Sequence, residues 1–330
     1  MDFKEEEIRP KKLIDQSKKY FNYDVNFLKK NTKYFYHSNC PACNSKNKKF
    51  LFKKNSFKYY NCTKCETIYI NPRPSEKLLE KFYKNSKLYE YWNNYIFPAS
   101  DKVRKNKVFK PRVNEIIKLC KKYNIKNNSI MDIGAGFGTF CQAMLERKYF
   151  KNVYALEPNK SGAKRCMEKN IKTFDTTLNK LEPKLLSKIN VFTSFEVIEH
   201  TSKPYKFLKD ISKYLKKNSL LIFTCPNGQG FDLNILGKKA DTFDHEHVTY
   251  LNPFSAKILT EKCGFDVMEI LTPGNMDLDI IFNKYRYKKF STKNRFILQL
   301  MKNSNLRENL QKFLKENNLS SHMWVVAKKR

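Results

Sequence analysis

Two histidines separated by one residue stand in the stretch TFDHEHVTYLNP, residues 242–253, of a chain that holds only five histidines. An imidazole titrates near neutral pH, so His245 and His247 are candidates for acid–base catalysis or for metal binding. On an extended segment the two rings would point to one face and Glu246 to the other. A catalytic metal also needs a third protein ligand and an open position, and no matching histidine or acid pair is evident in the sequence. A catalytic or substrate-holding role, a metal site and an ordinary loop therefore all stay open.

Four of the nine cysteines form two C-x-x-C pairs, Cys40 with Cys43 and Cys62 with Cys65, separated by 18 residues. This spacing is typical of a zinc ribbon, in which each short turn lets two sulfurs reach one tetrahedral ion. Four thiolates leave no open coordination position, so the zinc would be structural and not catalytic. The alternative is four unrelated buried thiols. The other cysteines lie mostly in apolar segments and are expected in the core: Cys120, Cys141, Cys166, Cys225 and Cys263.

The segment SIMDIGAGFGTFCQAMLER, residues 129–147, reads as a short strand, a glycine turn and the start of a helix. Such a turn brings backbone amides close to a nucleotide-type ligand. The third glycine comes one residue too early for a dinucleotide pattern, and Asp132 at the strand end suits a cationic ligand better than a pyrophosphate. The glycines of the turn are Gly134, Gly136 and Gly138.

Further strands follow the glycine turn, as an alternating α/β chain requires. The second strand ends in Glu157, 25 residues after Asp132, where an acid can accept hydrogen bonds from both hydroxyls of a ribose. The fourth strand leads into Glu196, Glu199 and His200. Because ligand sites form at the carboxyl ends of parallel strands, these side chains are expected near one another. The expected strands beyond the first cover 152–159, 171–175, 189–200 and 218–227.

The sequence resembles the class I S-adenosylmethionine-dependent methyltransferases in three features that occur in the same order. These are D-x-G-x-G-x-G, the acid after the second strand, and the stretch FEVIEH. The resemblance implies an α/β, Rossmann-like, seven-stranded core that binds S-adenosylmethionine. The glycine turn would approach the amino acid portion of the cofactor, Glu157 would hold its ribose, and residues near Thr177 would line its adenine. The alternative is a similar fold with another ligand or none. The implied cofactor residues are Asp132, Gly134, Ala135, Gly136, Gly138, Glu157, Pro158, Thr177, Leu178, Phe195 and Glu196.

The sequence also has a zinc ribbon before this core and an H-E-H stretch followed by Tyr250. In both features it resembles the branch of these methyltransferases that includes nucleotide-sugar C-methyltransferases. This match covers residues 36–270. It implies a small-molecule acceptor, a sugar, nucleotide sugar or glycan precursor, methylated on oxygen or carbon. Such an acceptor needs a base as the new bond forms. The candidates are His200, His245, Glu246 and His247, although His200 could instead brace a helix or loop. Tyr250 is expected to pack.

The chain divides into four expected parts. Residues 1–35 form a charged lead-in, 36–75 the zinc ribbon, 76–128 a helical connector or lid, and 129–330 the methyltransferase core. Within the core, residues 273–318 are expected to be a helical insertion before the last strand. The prolines near residue 74 disfavour a helix there, and Ser75 suits the N-cap of the helix that follows.

The formal net charge of +33 first suggests nucleic acid as a partner. Basic residues are spread along the whole chain, however, which also fits a bias in composition. An RNA methyltransferase is therefore the alternative function, and a non-catalytic cofactor-binding protein is a further one. No segment predicts a signal peptide or a membrane span, and the nine cysteines fit reduced thiols or metal ligands, so a cytoplasmic location is expected.

Overall fold

A computed structural model describes residues 4–186 and 188–330, so residues 1–3 of the expected lead-in and Ser187 lie outside the described residues. Its strands and helices alternate through the second half of the chain, as the sequence predicts. The strands are β1 (Phe35–Tyr36), β2 (Lys48–Lys54), β3 (Phe57–Cys62), β4 (Ile68–Ile70), β5 (Arg73–Pro74), β6 (Ser129–Ile133), β7 (Asn152–Leu156), β8 (Lys172–Phe174), β9 (Val191–Phe195), β10 (Leu220–Pro226), β11 (Thr249–Tyr250), β12 (Phe265–Leu271) and β13 (His322–Lys329).

Helices precede the ribbon, link it to the core and flank the central sheet. Two π-helical turns, Trp92–Ile96 and Lys105–Phe109, join consecutive helices of the connector. The α-helices are α1 (Glu5–Ile8), α2 (Lys11–Lys30), α3 (Glu76–Asn85), α4 (Lys87–Tyr91), α5 (Phe97–Arg104), α6 (Lys110–Lys122), α7 (Thr139–Glu146), α8 (Lys160–Glu168), α9 (Pro183–Leu186), α10 (Pro204–Tyr214), α11 (Phe231–Leu236), α12 (Pro253–Lys262), α13 (Asp277–Arg286), α14 (Arg295–Lys302) and α15 (Ser304–Glu316).

The central sheet has seven strands in the order β12-β13-β10-β9-β6-β7-β8. The five strands from β6 to β10 are parallel, whereas β13 is antiparallel to both β10 and β12. Every residue of β6 and of β10 is buried, as expected for parallel strands that are covered on both faces, and most of these residues are apolar. The predicted Rossmann-like, seven-stranded fold is confirmed.

A second sheet joins the ribbon to the core, in the order β11-β4-β3-β2. The hairpin of β2 and β3 turns at Asn55 and Ser56, both with positive φ, as a tight two-residue hairpin turn requires. Its outer strand β11 comes from the histidine-containing stretch, where Thr249 pairs with Tyr69. The ribbon is therefore built partly from residues near position 250.

Helix caps fix the entry to the connector and to the helix after β11. The Ser75 side chain accepts a hydrogen bond from the Leu78 amide, and the Asn252 side chain accepts one from the Ser255 amide. Helices α13–α15 form the expected insertion between β12 and β13. No helix within the described ranges combines the length and apolar character needed to cross a bilayer.

Candidate active site

The glycine turn lies between β6 and α7 and leaves a space beside its backbone. All three of its glycines have positive φ. A side chain at Gly134 would place its Cβ 2.6 Å from Cγ2 of Val197, whereas a Cβ at Gly136 would have no neighbour within 4 Å. Gly134 thus permits close packing against the end of β9, and the open side of Gly136 is a cradle for a ligand that approaches the backbone.

Asp132 is a buried acid at the end of β6. Its Oδ1 accepts a hydrogen bond of 2.8 Å from the Thr193 hydroxyl. Burial raises the pKa of Asp132 to about 8, against the smaller opposing effects of the Thr193 hydrogen bond and the charge of Arg112. A cationic ligand stabilises the ionised form of such a buried acid. Because both the sulfonium and the amino group of S-adenosylmethionine are cationic, Asp132 fits this cofactor.

Glu157 closes the cradle from the end of β7. Its carboxylate accepts hydrogen bonds from the Gly136 amide at 2.7 Å and from the Asn159 amide at 2.8 Å. Burial raises the pKa of Glu157, and these two amide hydrogen bonds oppose the rise. The carboxylate is thereby fixed at the glycine turn, in a position that suits the ribose contact expected from the sequence.

The remaining expected cofactor residues differ in burial. Pro158 and Thr177 are exposed, Leu178 is buried, and Phe195 is half-buried. The Thr177 hydroxyl donates to Oδ1 of Asn179 at 2.6 Å and so is engaged locally. Pro158 follows β7, Thr177 and Leu178 follow β8, and Phe195 ends β9, so these residues lie along the carboxyl edge of the parallel strands.

A polar network surrounds Glu196, directly after β9. Its Oε1 accepts a hydrogen bond of 2.6 Å from the Thr224 hydroxyl and lies 3.3 Å from Nδ1 of His322. Nε2 of His322 accepts hydrogen bonds from Arg112 and from the Trp324 indole, each at 3.1 Å. Because Nε2 accepts, Nδ1 carries the proton that faces Glu196. Burial alone would raise the pKa of Glu196, but His322, Arg112 and Thr224 outweigh it and lower that pKa.

Sequence reasoning missed His322 and Arg112 as site residues. His322 opens the last strand, and Arg112 lies in α6, 210 residues earlier. The signal for His322 was its rarity, as one of five histidines, directly before the apolar residues 323–327. Glu196 itself has a φ of +54°, an unusual conformation for a residue other than glycine and one that occurs often at functional sites.

The stretch of residues 242–253, hereafter the acid–base segment, is folded around Asp244. Oδ1 of Asp244 accepts hydrogen bonds from the amides of Glu246 and His247, each at 2.9 Å. Tyr250 is fully buried and donates from its hydroxyl to the Thr242 carbonyl at 2.9 Å. Residues 244–247 thus form a tight turn ahead of β11, so the alternation of side chains expected for an extended segment does not apply to His245 and His247.

His247 lies beside His200, with ring centroids 4.6 Å apart. Nδ1 of His247 is 2.9 Å from the Thr242 carbonyl. A carbonyl only accepts, so Nδ1 carries the proton and Nε2 has the lone pair. His200 Nδ1 is 2.8 Å from the Tyr83 hydroxyl, and burial holds the pKa of His200 well below its usual range. Glu199, on the same turn as His200, is buried, whereas His200 and His247 are half-buried.

His245 faces a different cluster, so the structure does not place His245 and His247 on one common ion. Its ring packs edge-on against Phe21 at a centroid distance of 4.8 Å and against Phe82 at 5.6 Å. Neither ring nitrogen has a hydrogen-bond partner among the described residues, and Nε2 lies 3.7 Å from Oε1 of Glu246. Burial lowers the pKa of His245 and raises that of Glu246 well above its usual range.

The four ribbon cysteines converge on one point, with all four sulfurs within 4.8 Å of one another. The Sγ atoms of Cys40 and Cys65 are 3.5 Å apart, as are those of Cys43 and Cys62. A tetrahedron with Zn–S bonds of about 2.3 Å requires sulfurs close to this spacing. Each C-x-x-C turn closes in the same way, with the amide after its second cysteine donating to the carbonyl of its first. The cluster fits a structural zinc.

Comparisons with known proteins agree with this geometry. A family described as "Methyltransferase domain" matches residues 105–270, half of the 330-residue chain. No curated protein matches the chain.

The chain is also similar to solved structures of methyltransferases. One, an S-adenosylmethionine-dependent methyltransferase from Clostridium acetobutylicum, is 11% identical with a TM-score of 0.47, over 72% of this chain and 98% of that one. Another, a SAM-dependent methyltransferase from Archaeoglobus fulgidus, is 19% identical with a TM-score of 0.47, over 72% and 100%. A third, the plantazolicin methyltransferase BpumL in complex with SAH, is 15% identical with a TM-score of 0.44, over 77% and 98%.

The half of the chain that matches the family contains the glycine turn, the buried acids at the ends of β6 and β7, and the acid–base segment. The chain therefore belongs to the methyltransferase domain family, and it is a class I S-adenosylmethionine-dependent methyltransferase.

Proposed function

We propose that the protein methylates a sugar, nucleotide sugar or glycan precursor, on oxygen or on an adjacent carbon. The observation that carries the proposal is the position of the acid–base segment next to the end of β9. The Val248 amide donates to the Glu199 carbonyl at 2.8 Å, so the segment is fastened to the turn that begins with Glu196.

We propose that three acids at the ends of parallel strands hold S-adenosylmethionine. Asp132 faces the cationic end of the donor, Glu157 binds the ribose, and Glu196 is held beside the methionine portion by His322 and Thr224. Bound S-adenosylmethionine supplies a methyl group on a sulfonium, and its transfer is an in-line displacement. Much of the rate can therefore come from holding donor and acceptor in contact without water.

The proton of the acceptor passes to the acid–base segment, where His247 and Glu246 are the proposed first recipients. Nε2 of His247 has a free lone pair because Nδ1 is bound to the Thr242 carbonyl. Burial raises the pKa of Glu246, which makes its carboxylate a stronger base. As the acceptor hydroxyl loses its proton, its oxygen forms the bond to the methyl carbon, and the carbon–sulfur electron pair remains on sulfur.

We propose that the chain divides after residues 35, 75 and 128 into a lead-in, a zinc ribbon, a helical connector and the methyltransferase core. The connector carries Tyr83, whose hydroxyl contacts His200, and Arg112, which contacts His322. It therefore touches both the acceptor side and the cofactor side, as a lid over the mouth of the site would. The resemblance to the branch with nucleotide-sugar C-methyltransferases supports a saccharide acceptor.

The test is a screen for methyl acceptance from labelled S-adenosylmethionine, with nucleotide sugars, free glycans and RNA as acceptors. We expect transfer to a saccharide, with turnover lowered far more than cofactor affinity in His247→Ala. His37→Ala, a change at a histidine far from the segment in sequence, is the matched control. Transfer to RNA alone, with RNA affinity that falls steeply with salt, would contradict the proposal and favour nucleic acid as the acceptor.

A further inference from the structure

We propose that Glu199, His200 and His247 bind one divalent transition-metal ion in the acceptor site, in addition to the zinc of the ribbon. One carboxylate oxygen of Glu199 and one ring nitrogen of each histidine lie within 4.8 Å of one another. Two histidines and one carboxylate are a ligand set that suits zinc and neighbouring metals, and three protein ligands leave coordination positions open for a substrate.

Glu199 is the strongest sign that a ligand is bound there. Its side chain is only 1% exposed, and neither carboxylate oxygen has a hydrogen-bond partner in the part of the chain that the structure describes. Burying a carboxyl group without a partner is costly, so buried acids are normally hydrogen-bonded, ion-paired or metal-bound. No lysine or arginine is paired with Glu199 among the described residues. A cation would supply the missing charge.

Each of the two histidines has one ring nitrogen, Nε2, available to bind a metal ion. The His247 Nδ1 donates to the Thr242 carbonyl, and the His200 Nδ1 lies 2.8 Å from the Tyr83 hydroxyl. The Tyr83 hydroxyl can in turn donate to the Glu246 carbonyl at 3.4 Å, which makes His200 the donor at Nδ1. Metal-binding histidines commonly have this arrangement, in which an oxygen partner at one nitrogen orients the ring and leaves the lone pair on the other.

The second candidate cluster, Asp24 with His245 and Glu246, is a weaker site. The Asp24 carboxylate already accepts hydrogen bonds from the Ser86 hydroxyl and from the amides of Lys87 and Leu88, so it caps the start of α4. Its charge is therefore stabilised without a cation. The unpartnered His245 makes this cluster a suitable internal comparison for the first one.

The inference deepens the proposed function and rests on it for the acceptor. A cation with open positions can bind two neighbouring oxygens, as in a vicinal diol or a sugar ring with adjacent hydroxyls, and it lowers the pKa of the hydroxyl beside it. With His247 bound to the ion, Glu246 becomes the group that receives the proton of the acceptor. Metal binding itself can be measured without any acceptor.

The experiment titrates Co²⁺ into the full-length protein with its ribbon already filled with zinc, by calorimetry and by visible absorption. We expect about one further Co²⁺ per chain, with d–d bands and without the thiolate charge-transfer bands that replacement of the ribbon zinc would give. Glu199→Gln should weaken Co²⁺ binding by more than the 10- to 100-fold that loss of an outer-shell partner typically costs. His245→Ala is the control and should bind Co²⁺ as the wild type does.

Glu199→Gln keeps the side-chain shape and removes a buried charge, and unchanged S-adenosylmethionine affinity will show that the variant is folded. His200→Gln provides a second test of the ligand set. Co²⁺ binding that is absent, that survives Glu199→Gln, or that is lost only in His245→Ala would overturn the inference. If Co²⁺ binds as expected but no saccharide is methylated, the metal site stands and the proposed acceptor fails.

Discussion

Replacing the buried acid of the glycine turn should change how stability depends on pH. In Asp132→Asn the group can no longer ionise. In the wild type the pKa rises from 3.8 to about 8 on folding, so the folded protein holds a proton that the unfolded chain releases. The stabilisation is therefore complete below pH 4 and is lost progressively as pH rises towards 8. At ~1.4 kcal/mol per pKa unit, the loss is on the order of 4 kcal/mol between pH 4 and pH 7.

The assay is urea unfolding of the wild type and Asp132→Asn at pH 5, 6 and 7, without cofactor. Because all other groups titrate in both proteins, the difference between their unfolding free energies isolates Asp132. We expect this difference to move in favour of the variant by about 1.4 kcal/mol for each pH unit.

Two further measurements sharpen this prediction. Thr193→Val removes the hydroxyl that donates to Asp132, so it should raise the pKa of Asp132 further and extend the loss of stability to higher pH, because the ionised form loses its partner. S-adenosylmethionine should stabilise the wild type at pH 7 more than it stabilises Asp132→Asn, because its positive charge faces the acid. A stability difference that stays constant from pH 5 to pH 7 would refute the reasoning.

Three more predictions concern the cofactor contacts and the ribbon. Glu157→Ala should abolish measurable S-adenosylmethionine binding by calorimetry while zinc content stays intact, and retained affinity would show that the ribose contact lies elsewhere. His322→Ala should weaken cofactor affinity about 10- to 100-fold, as expected for loss of a 3.3 Å polar contact with the Glu196 carboxylate, and equal affinity would make His322 a packing residue only. Cys62→Ser should release zinc and lower turnover before it affects cofactor affinity, because the ribbon sheet contains β11; full zinc stoichiometry in the variant would rule out the ligand set.

The fold of the core could be predicted because its signals are local. Five apolar segments separated by helical ones, with a glycine turn after the first, specify a parallel sheet in which the strands are covered on both faces. The ribbon was similarly evident, since two C-x-x-C pairs at this spacing rarely occur outside metal sites in a chain of this kind. In each case the residues that determine the structure are neighbours in the sequence.

The contacts of the candidate site could not be predicted from the sequence, because they join segments that are far apart along the chain. His322 reaches Glu196 only because β13 inserts between β10 and β12, an arrangement that the residues around position 322 do not encode by themselves. The relation of His245 to His247 also depended on the backbone. Asp244 accepts two amide hydrogen bonds and bends the chain, so the two rings enter different clusters although one residue separates them.

The pairing of β4 with β11 has a consequence for synthesis of the chain on the ribosome. The four cysteines and the hairpin are made early, and zinc can fold them as soon as they emerge. The edge of β4 then stays unpaired while the long segment between Tyr69 and Thr249 is added. An open strand edge invites pairing with another chain, so the nascent protein passes through a stage that is prone to association. Arrival of the acid–base segment closes that edge, and the same event that completes the ribbon sheet also assembles the proposed acceptor site.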